Sequence, residues 1–68
     1  MRPVNENFKR IREKIGLSPI GMAEKLDVSQ SMVNKVEKGH VDPSLRMCYA
    51  LADLANCSVP SLFERNSA

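Results

Sequence analysis

The sequence lacks the features that mark membrane, secreted and disulfide-stapled proteins. Its longest apolar runs are only a few residues, and no apolar stretch of signal-peptide length follows the N-terminus. Its two cysteines, Cys48 and Cys57, are too few and too closely spaced to staple a secreted miniature scaffold, and they form no C-x-x-C pair. We therefore expect a cytoplasmic protein without a membrane segment, in which both cysteines are reduced core residues.

The sequence also lacks the residue combinations that catalysis or metal binding requires. Its single histidine is His40, and no Ser-His-Asp, Cys-His or metal-ligand spacing accompanies it. We expect no catalytic residue, no metal site and no cofactor, and therefore a protein that is not an enzyme.

The chain is short, with 68 residues and a mass of 7.6 kDa, so we expect one domain over residues 1–68 with its core at about 5–64. A core of this size leaves only about 3 to 5 kcal/mol of net stability, which favours a partner subunit. The net charge is +2, but residues 1–15 carry five basic and two acidic side chains. A basic N-terminal end permits a nucleic-acid partner.

Glycine, proline and serine divide the sequence into five short segments with helical periodicity. Three- and four-residue spacing of apolar residues predicts core-facing stripes, which include Ile15 and Leu45. The composition and spacing predict an all-α protein, a compact five-helix bundle. The predicted helices are one that ends at Gly16, one capped by Ser18, one over residues 30–38, one from Ser44 to Asn56, and a short one after Ser58.

The second and third helices form a helix-turn-helix pattern, in the segment PIGMAEKLDVSQSMVNKVEK at residues 19–38. The small Ala23 allows the two helices to approach closely, and Val28 fills the turn between them. The chain also carries seven short motifs in register with this segment: R-I-R-E, G-L-S, A-E-K-L, V-S-Q-S, V-E-K-G, D-P-S-L and L-F-E. Over residues 8–64 the chain therefore resembles the phage repressor and Cro-type helix-turn-helix DNA-binding family, which implies a lambda-repressor-like fold.

The third predicted helix has one polar face without acidic residues. At 100° per residue, this face lies opposite the apolar side chains and comprises Gln30, Ser31, Asn34, Lys35 and Lys38. A solvated helix face would have the same composition. The resemblance implies instead that the helix enters the major groove of double-stranded DNA, with base contacts from Gln30, Ser31, Asn34 and Lys35. A glutamine amide suits adenine and a lysine ammonium suits guanine, so we expect Gln30 and Lys35 to dominate specificity.

Contacts to the DNA backbone fix position without recognising sequence. The N-terminus of the second helix favours a phosphate at Ser18. The resemblance also places the backbone near Arg12, Lys38, His40 and Ser44. It further implies an ion pair between Arg12 and Glu37 that holds the first helix against the third.

The chain departs from the family pattern at the second helix. Pro19 replaces a usual glutamine and removes one phosphate contact, and Ile20 and Gly21 replace polar residues. Asp27 replaces the turn glycine, and we expect it to adopt the left-handed conformation there. These changes predict weaker binding to the DNA backbone than in a typical member.

The combined observations predict a sequence-specific transcriptional regulator, a repressor rather than an activator. We expect a homodimer on a pseudo-palindromic operator whose major grooves lie about 34 Å apart, associating through Val59, Leu62 and Phe63. The alternative is a protein-interaction module, such as an antitoxin or a control protein, whose scaffold chiefly binds a protein partner. The low net charge, Pro19 and a possible exposed edge at Ile20 and Met22 favour that alternative.

Overall fold

The computed structural model describes residues 2–65 and is all-helical over that range. Four α-helices are followed by one short 3-10 turn, and the molecule extends 28 × 24 × 21 Å. The elements are α1 (Pro3–Ile15), α2 (Pro19–Leu26), α3 (Gln30–Glu37), α4 (Leu45–Ala55) and the 3-10 turn (Pro60–Phe63).

Serine side chains cap the first turns of three helices. The hydroxyls of Ser18, Ser29 and Ser44 accept hydrogen bonds from the backbone N–H three residues later, at 3.1 to 3.2 Å. Each bond satisfies one N–H that has no partner within its helix. These caps fix where α2, α3 and α4 begin, as the sequence predicted.

Left-handed residues end three of the helices. Gly16 has φ 87°, and Asp27 and Asn56 adopt the same region with φ 57° and φ 54°. Asp27 therefore keeps the turn between α2 and α3 without a glycine, as predicted, because aspartate tolerates this conformation better than most residues. The third helix ends at Glu37, one residue before the predicted end, and Lys38 is its C-cap.

The core lies where α1 packs against α3, α4 and the 3-10 turn, and α2 closes it by packing on α3 and α4. Its fully buried side chains include Phe8, Met22, Val33, Leu51 and Leu62. The predicted stripes therefore pack inward in the middle of each helix. The burial of Met22 means that the predicted exposed edge contains Ile20 but not Met22.

The prediction of a core position was wrong for three residues near helix ends. Ile15 is 42% exposed because the last turn of α1 borders an open groove, not a packed helix. Leu45 is 65% exposed because it begins α4, where a side chain tilts beyond the helix end. Cys57 is exposed because it follows the left-handed Asn56, outside α4, whereas Cys48 is buried as predicted.

The predicted fifth helix is also wrong, because the segment is a single 3-10 turn of four residues. An α-helix must fix several residues before it gains its first hydrogen bonds, and so short segments often form 3-10 turns instead. Pro60 donates no backbone hydrogen bond, and Glu64 is already extended with ψ 142°. The described part of the chain is thus a four-helix bundle with a terminal turn.

Candidate functional site

The polar face of α3 is exposed along its length. Gln30, Ser31, Asn34 and Lys35 are all exposed, whereas Val33 and Val36 on the opposite face are fully buried. The helical periodicity in the sequence predicted this division. The structure therefore brings one amide, one hydroxyl, a second amide and one ammonium group together on a single solvent-facing surface.

The only acidic residue of α3 is removed from this surface by an ion pair. Glu37 accepts two hydrogen bonds from the Arg12 guanidinium, Oε2 from Nε at 2.6 Å and Oε1 from Nη2 at 3.1 Å. The side chains are only 13% and 11% exposed. The predicted pair is confirmed, and it leaves the exposed face of α3 with cationic and neutral groups alone.

Arg12 also connects the pair to the start of α2. Its Nη1 donates to the backbone oxygen of Leu17 at 2.9 Å, just before the Ser18 cap. The hydrogen bond to Glu37 raises the pKa of Arg12 above its ordinary value, while burial acts in the opposite direction. Three of its five N–H groups are thus engaged within the protein, and two remain for an outside acceptor.

Asn5 holds the far end of α3 and was not identified from the sequence. Its Nδ2 donates to the backbone oxygens of Val36 at 2.8 Å and Val41 at 3.1 Å, and the residue is only 1% exposed. One signal could have identified it. Asn5 lies three residues before Phe8 and seven before Arg12, so a polar side chain occupies an inward-facing position of α1.

The N-terminus of α2 has fewer free backbone donors than an ordinary helix start. Ser18 accepts from the N–H of Gly21 at 3.1 Å, and Pro19 has no N–H. The N–H of Ile20 is left, beside a side chain that is 57% exposed. This geometry agrees with the weaker backbone contact that the sequence predicted for this helix.

The remaining predicted backbone residues follow α3 along the chain. Lys38 and His40 are exposed, and the N–H of His40 donates to the backbone oxygen of Lys35 at 2.9 Å. Ser44 is exposed and caps α4 by accepting from Met47 at 3.2 Å. Lys38 and His40 therefore lie at the carboxyl end of α3, and Ser44 lies at the start of the next helix.

The three predicted association residues differ in exposure. Leu62 is 1% exposed and belongs to the core, Val59 is half-buried, and Phe63 is 53% exposed. An apolar stripe on α4 was not predicted as surface: Leu45 and Tyr49 are 65% and 61% exposed. Their four-residue spacing places them on one side of the helix, a signal already present in the sequence.

Residues 2–65 bring together no group of three or more potential metal ligands. The helices in that range lack the length and continuous apolar surface of a membrane span.

Comparison with protein families and curated proteins gives consistent matches. A family model described as helix-turn-helix matches residues 8–62. A protein of Archaeoglobus fulgidus (strain ATCC 49558 / DSM 4304 / JCM 9628 / NBRC 100126 / VC-16), described as an uncharacterized HTH-type transcriptional regulator, is 33% identical over 56 residues. That alignment covers 82% of this chain and 80% of the archaeal protein.

Three solved structures have similar folds. The P22 c2 repressor in complex with synthetic operator 9T superposes with a TM-score of 0.82 at 19% identity, covering 93% of this chain and 96% of that one. The restriction-modification controller protein C.AhdI from Aeromonas hydrophila has a TM-score of 0.77 at 26% identity, with 90% and 92% covered. The N-terminal DNA-binding domain of SinR from Bacillus subtilis has a TM-score of 0.82 at 23% identity, with 96% of both chains covered.

Proposed function

This chain belongs to the helix-turn-helix family of DNA-binding transcriptional regulators, and we propose that it is a repressor that places α3 in the major groove of double-stranded DNA. The observation that carries the proposal is the exposed face of α3, from which the Arg12–Glu37 pair withdraws the only carboxylate. The protein acts by binding, without catalysis, in the cytoplasm.

Base recognition falls to the four exposed side chains near the start and middle of α3, Gln30, Ser31, Asn34 and Lys35. The amide of Gln30 donates to and accepts from adenine, and the ammonium of Lys35 donates to the two major-groove acceptors of guanine. Each such contact discriminates against a wrong base by about 1 to 3 kcal/mol. Specificity therefore depends mainly on Gln30 and Lys35.

Backbone contacts come from residues on both sides of α3, namely Arg12, Ser18, Lys38, His40 and Ser44. Arg12 has two N–H groups left after its internal hydrogen bonds, so it can hold α3 and donate to a phosphate together. Such contacts set the position of α3 but carry no sequence information. Because Pro19 has no N–H, the N-terminus of α2 offers one donor fewer and binds the DNA backbone more weakly than an ordinary helix N-terminus.

The active species is a homodimer on a pseudo-palindromic operator, since two copies of one α3 fit two half-sites about 34 Å apart. Phe63 and Val59 form the association surface that we propose, without the buried Leu62. Phe63→Ser tests this surface, and Tyr49→Ser tests the apolar stripe of α4 in parallel. Sedimentation should show that Phe63→Ser is monomeric at concentrations where the parent and Tyr49→Ser are dimeric. The reverse result would place the interface on α4.

The decisive experiment is selection of bound sequences from a random duplex pool at about 150 mM salt, a concentration that screens weak nonspecific contacts. We expect an enriched inverted repeat. In the double variant Gln30→Ala/Lys35→Ala, the affinity ratio between that repeat and a scrambled duplex should fall to near one. Lys9→Ala, which removes a charge from an exposed position on α1, is the control and should keep the ratio. An unchanged ratio in the double variant would contradict the proposal.

A second candidate function is an antitoxin or control protein whose scaffold chiefly binds a protein partner. It is favoured by Ile20, an apolar side chain 57% exposed at the start of α2 beside Pro19, and by the 26% identity to a restriction-modification controller protein. Affinity for every duplex in the pool that stays at about 10⁻⁴ to 10⁻⁶ M, the nonspecific range, would favour this function.

A further inference from the structure

A groove of about 840 Å³ runs between α1, the end of α4 and the 3-10 turn. Ile11, Ile15 and Leu54 contribute apolar side chains to it, and Arg10, Lys14 and Arg65 contribute positive charge. We call this surface the basic groove. Its apolar part includes Ile15, which is 42% exposed although it continues the apolar stripe of α1.

The basic groove lies on a different side of α1 from the DNA-binding surface. Arg12 points toward α3, and Lys14, two residues later, is rotated by about 200° around the helix axis. A molecule in the basic groove therefore leaves α3 accessible. The groove and the exposed face of α3 are two separate binding surfaces.

The charges around the basic groove are not balanced within the described chain. Glu64 is the only carboxylate that lines it, against the three cations. The three ion pairs among residues 2–65 use other arginines, Arg2, Arg12 and Arg46. The groove thus presents apolar surface with unneutralised positive charge, which is complementary to an apolar ligand that carries carboxylates.

The wall of the basic groove is fixed by a side chain of α1. Asn7 Nδ2 donates to the backbone oxygens of Leu62 and Glu64, both at 2.8 Å, and so holds the 3-10 turn beside α1. Because the 3-10 turn is already fixed, less conformational entropy is lost when a ligand binds. The groove is therefore a preformed surface.

We propose that the basic groove binds an acidic amphipathic helix of a partner protein. From Asn7 to Ile15 the groove follows α1 for about 12 Å, which matches two helical turns with apolar anchors at positions i, i+4 and i+7. A DNA backbone has the negative charge but no apolar ridge, so it would leave Ile11, Ile15 and Leu54 uncovered. Because α3 stays accessible, the partner can bind the regulator while it is on DNA.

Cys57 provides a native readout, because it lines the groove and is exposed, whereas Cys48 is buried. The probe is a capped 16-residue peptide with leucines at i, i+4, i+7 and i+11 and glutamates beside them. One control peptide has alanine in place of leucine, and a second has lysine in place of glutamate. The leucine–glutamate peptide should bind, measured by fluorescence anisotropy, and should slow alkylation of Cys57 by iodoacetamide. The two control peptides should do neither.

A pair of charge-matched variants locates the site. Arg10→Glu/Lys14→Glu should weaken peptide binding by about tenfold, because it replaces two attractive charges at the rim with two repulsive ones. Lys9→Glu/Lys25→Glu changes the net charge equally at exposed positions outside the groove and should leave binding within about twofold. Circular dichroism of both variants should match that of the parent, which would exclude unfolding as the cause of a loss of binding.

Five outcomes would overturn the proposal. Four of them are no binding, equal binding of the leucine and alanine peptides, equal weakening by both double variants, and protection of Cys57 by operator DNA in the Phe63→Ser variant. The fifth is slower alkylation of Cys57 at higher concentrations of Phe63→Ser without peptide, which would assign the groove to a second copy of this chain. Phe63→Ser is used for both measurements because association through Val59 and Phe63 would itself shield Cys57. Operator affinity is measured separately, so failure here is distinguishable from failure of the DNA-binding proposal.

Discussion

Asn5 and Asn7 lie two residues apart on α1 and make the same kind of contact on opposite sides of it. Each donates from Nδ2 to two backbone oxygens that are distant in sequence, Asn5 to Val36 and Val41 and Asn7 to Leu62 and Glu64. Asn5 is 1% exposed, whereas Asn7 is half-buried. One asparagine therefore fixes the end of α3, and the other fixes the wall of the basic groove.

The difference in burial shows how the same contact can have different consequences. Asn5 is almost fully buried, so its loss leaves unfilled space in the core and removes one of two donors from the buried oxygen of Val36, whereas without Asn7 water can take the place of the amide. The side of α1 that faces α3 is thus held by contacts that are expensive to break. The side that faces the groove is held by contacts whose loss costs less, because solvent can replace them.

Asn5→Ala should have the largest effect. It leaves the oxygen of Val41 without its donor, although the oxygen of Val36 still accepts from Gly39 at 3.1 Å. We expect a loss of about 2 to 3 kcal/mol in the free energy of unfolding, most of the stability of so small a domain. Urea denaturation measures it. Asn5→Asp should not rescue it, because a carboxylate does not donate, and a loss below about 1 kcal/mol would contradict the comparison.

The ion pair beside Asn5 should have the next largest effect. A double-mutant cycle with Arg12→Ala and Glu37→Ala should give a coupling energy of about 1 to 2 kcal/mol, because both side chains are largely buried and share two hydrogen bonds. The same cycle on the exposed pair of Arg2 and Asp42 should give less than about 0.5 kcal/mol. Equal coupling in the two cycles would show that burial does not decide the strength of these pairs.

Asn7→Ala should have a smaller effect than the identical change at Asn5. We expect a loss of about 0.5 to 1 kcal/mol, because its partners are partly exposed and become hydrated. Operator affinity should not change, whereas alkylation of Cys57 should become faster as the 3-10 turn loosens. If Asn7→Ala destabilised the protein as much as Asn5→Ala, the two sides of α1 would be equivalent.

Ile15→Lys should have the smallest effect. Ile15 is 42% exposed, and a lysine in the last turn of α1 interacts favourably with the helix dipole. We expect the free energy of unfolding, measured by urea denaturation, to change by less than about 0.5 kcal/mol. A loss above about 1 kcal/mol would mean that the open side of α1 contributes to the core.

The sequence was most informative where one local rule decides the structure. Serine caps predicted the starts of α2, α3 and α4, and periodicity predicted which face of α3 is exposed. The ion pair of Arg12 and Glu37 followed from the family resemblance, not from spacing, since 25 residues separate the two side chains. Sequence reasoning therefore predicted the exposed face of α3 and one contact that holds this helix, while the base contacts of that face stay a prediction.

The failures occurred where tertiary contacts decide. Spacing along α1 could have marked Asn5 as inward-facing, but no local pattern identifies the backbone oxygens, 31 to 57 positions away, to which Asn5 and Asn7 donate. Ile15 satisfies the spacing rule for a core residue, but no helix packs over it. The 3-10 turn has the serine and proline of a helix start but too few residues to continue.

The small size of the fold bears on how operator occupancy responds to the concentration of the protein in the cell. The molecule extends 28 Å at most, whereas successive half-sites are centred about 34 Å apart. In the proposed homodimer, two copies on one operator would therefore meet only at their edges, in an interface smaller than the roughly 1,600 Å² of a standard stable complex. Their association would be weak, and most molecules would be monomers when the protein is scarce. By mass action, a twofold rise in expression increases operator occupancy by about fourfold at low occupancy, which makes repression respond steeply to gene dosage.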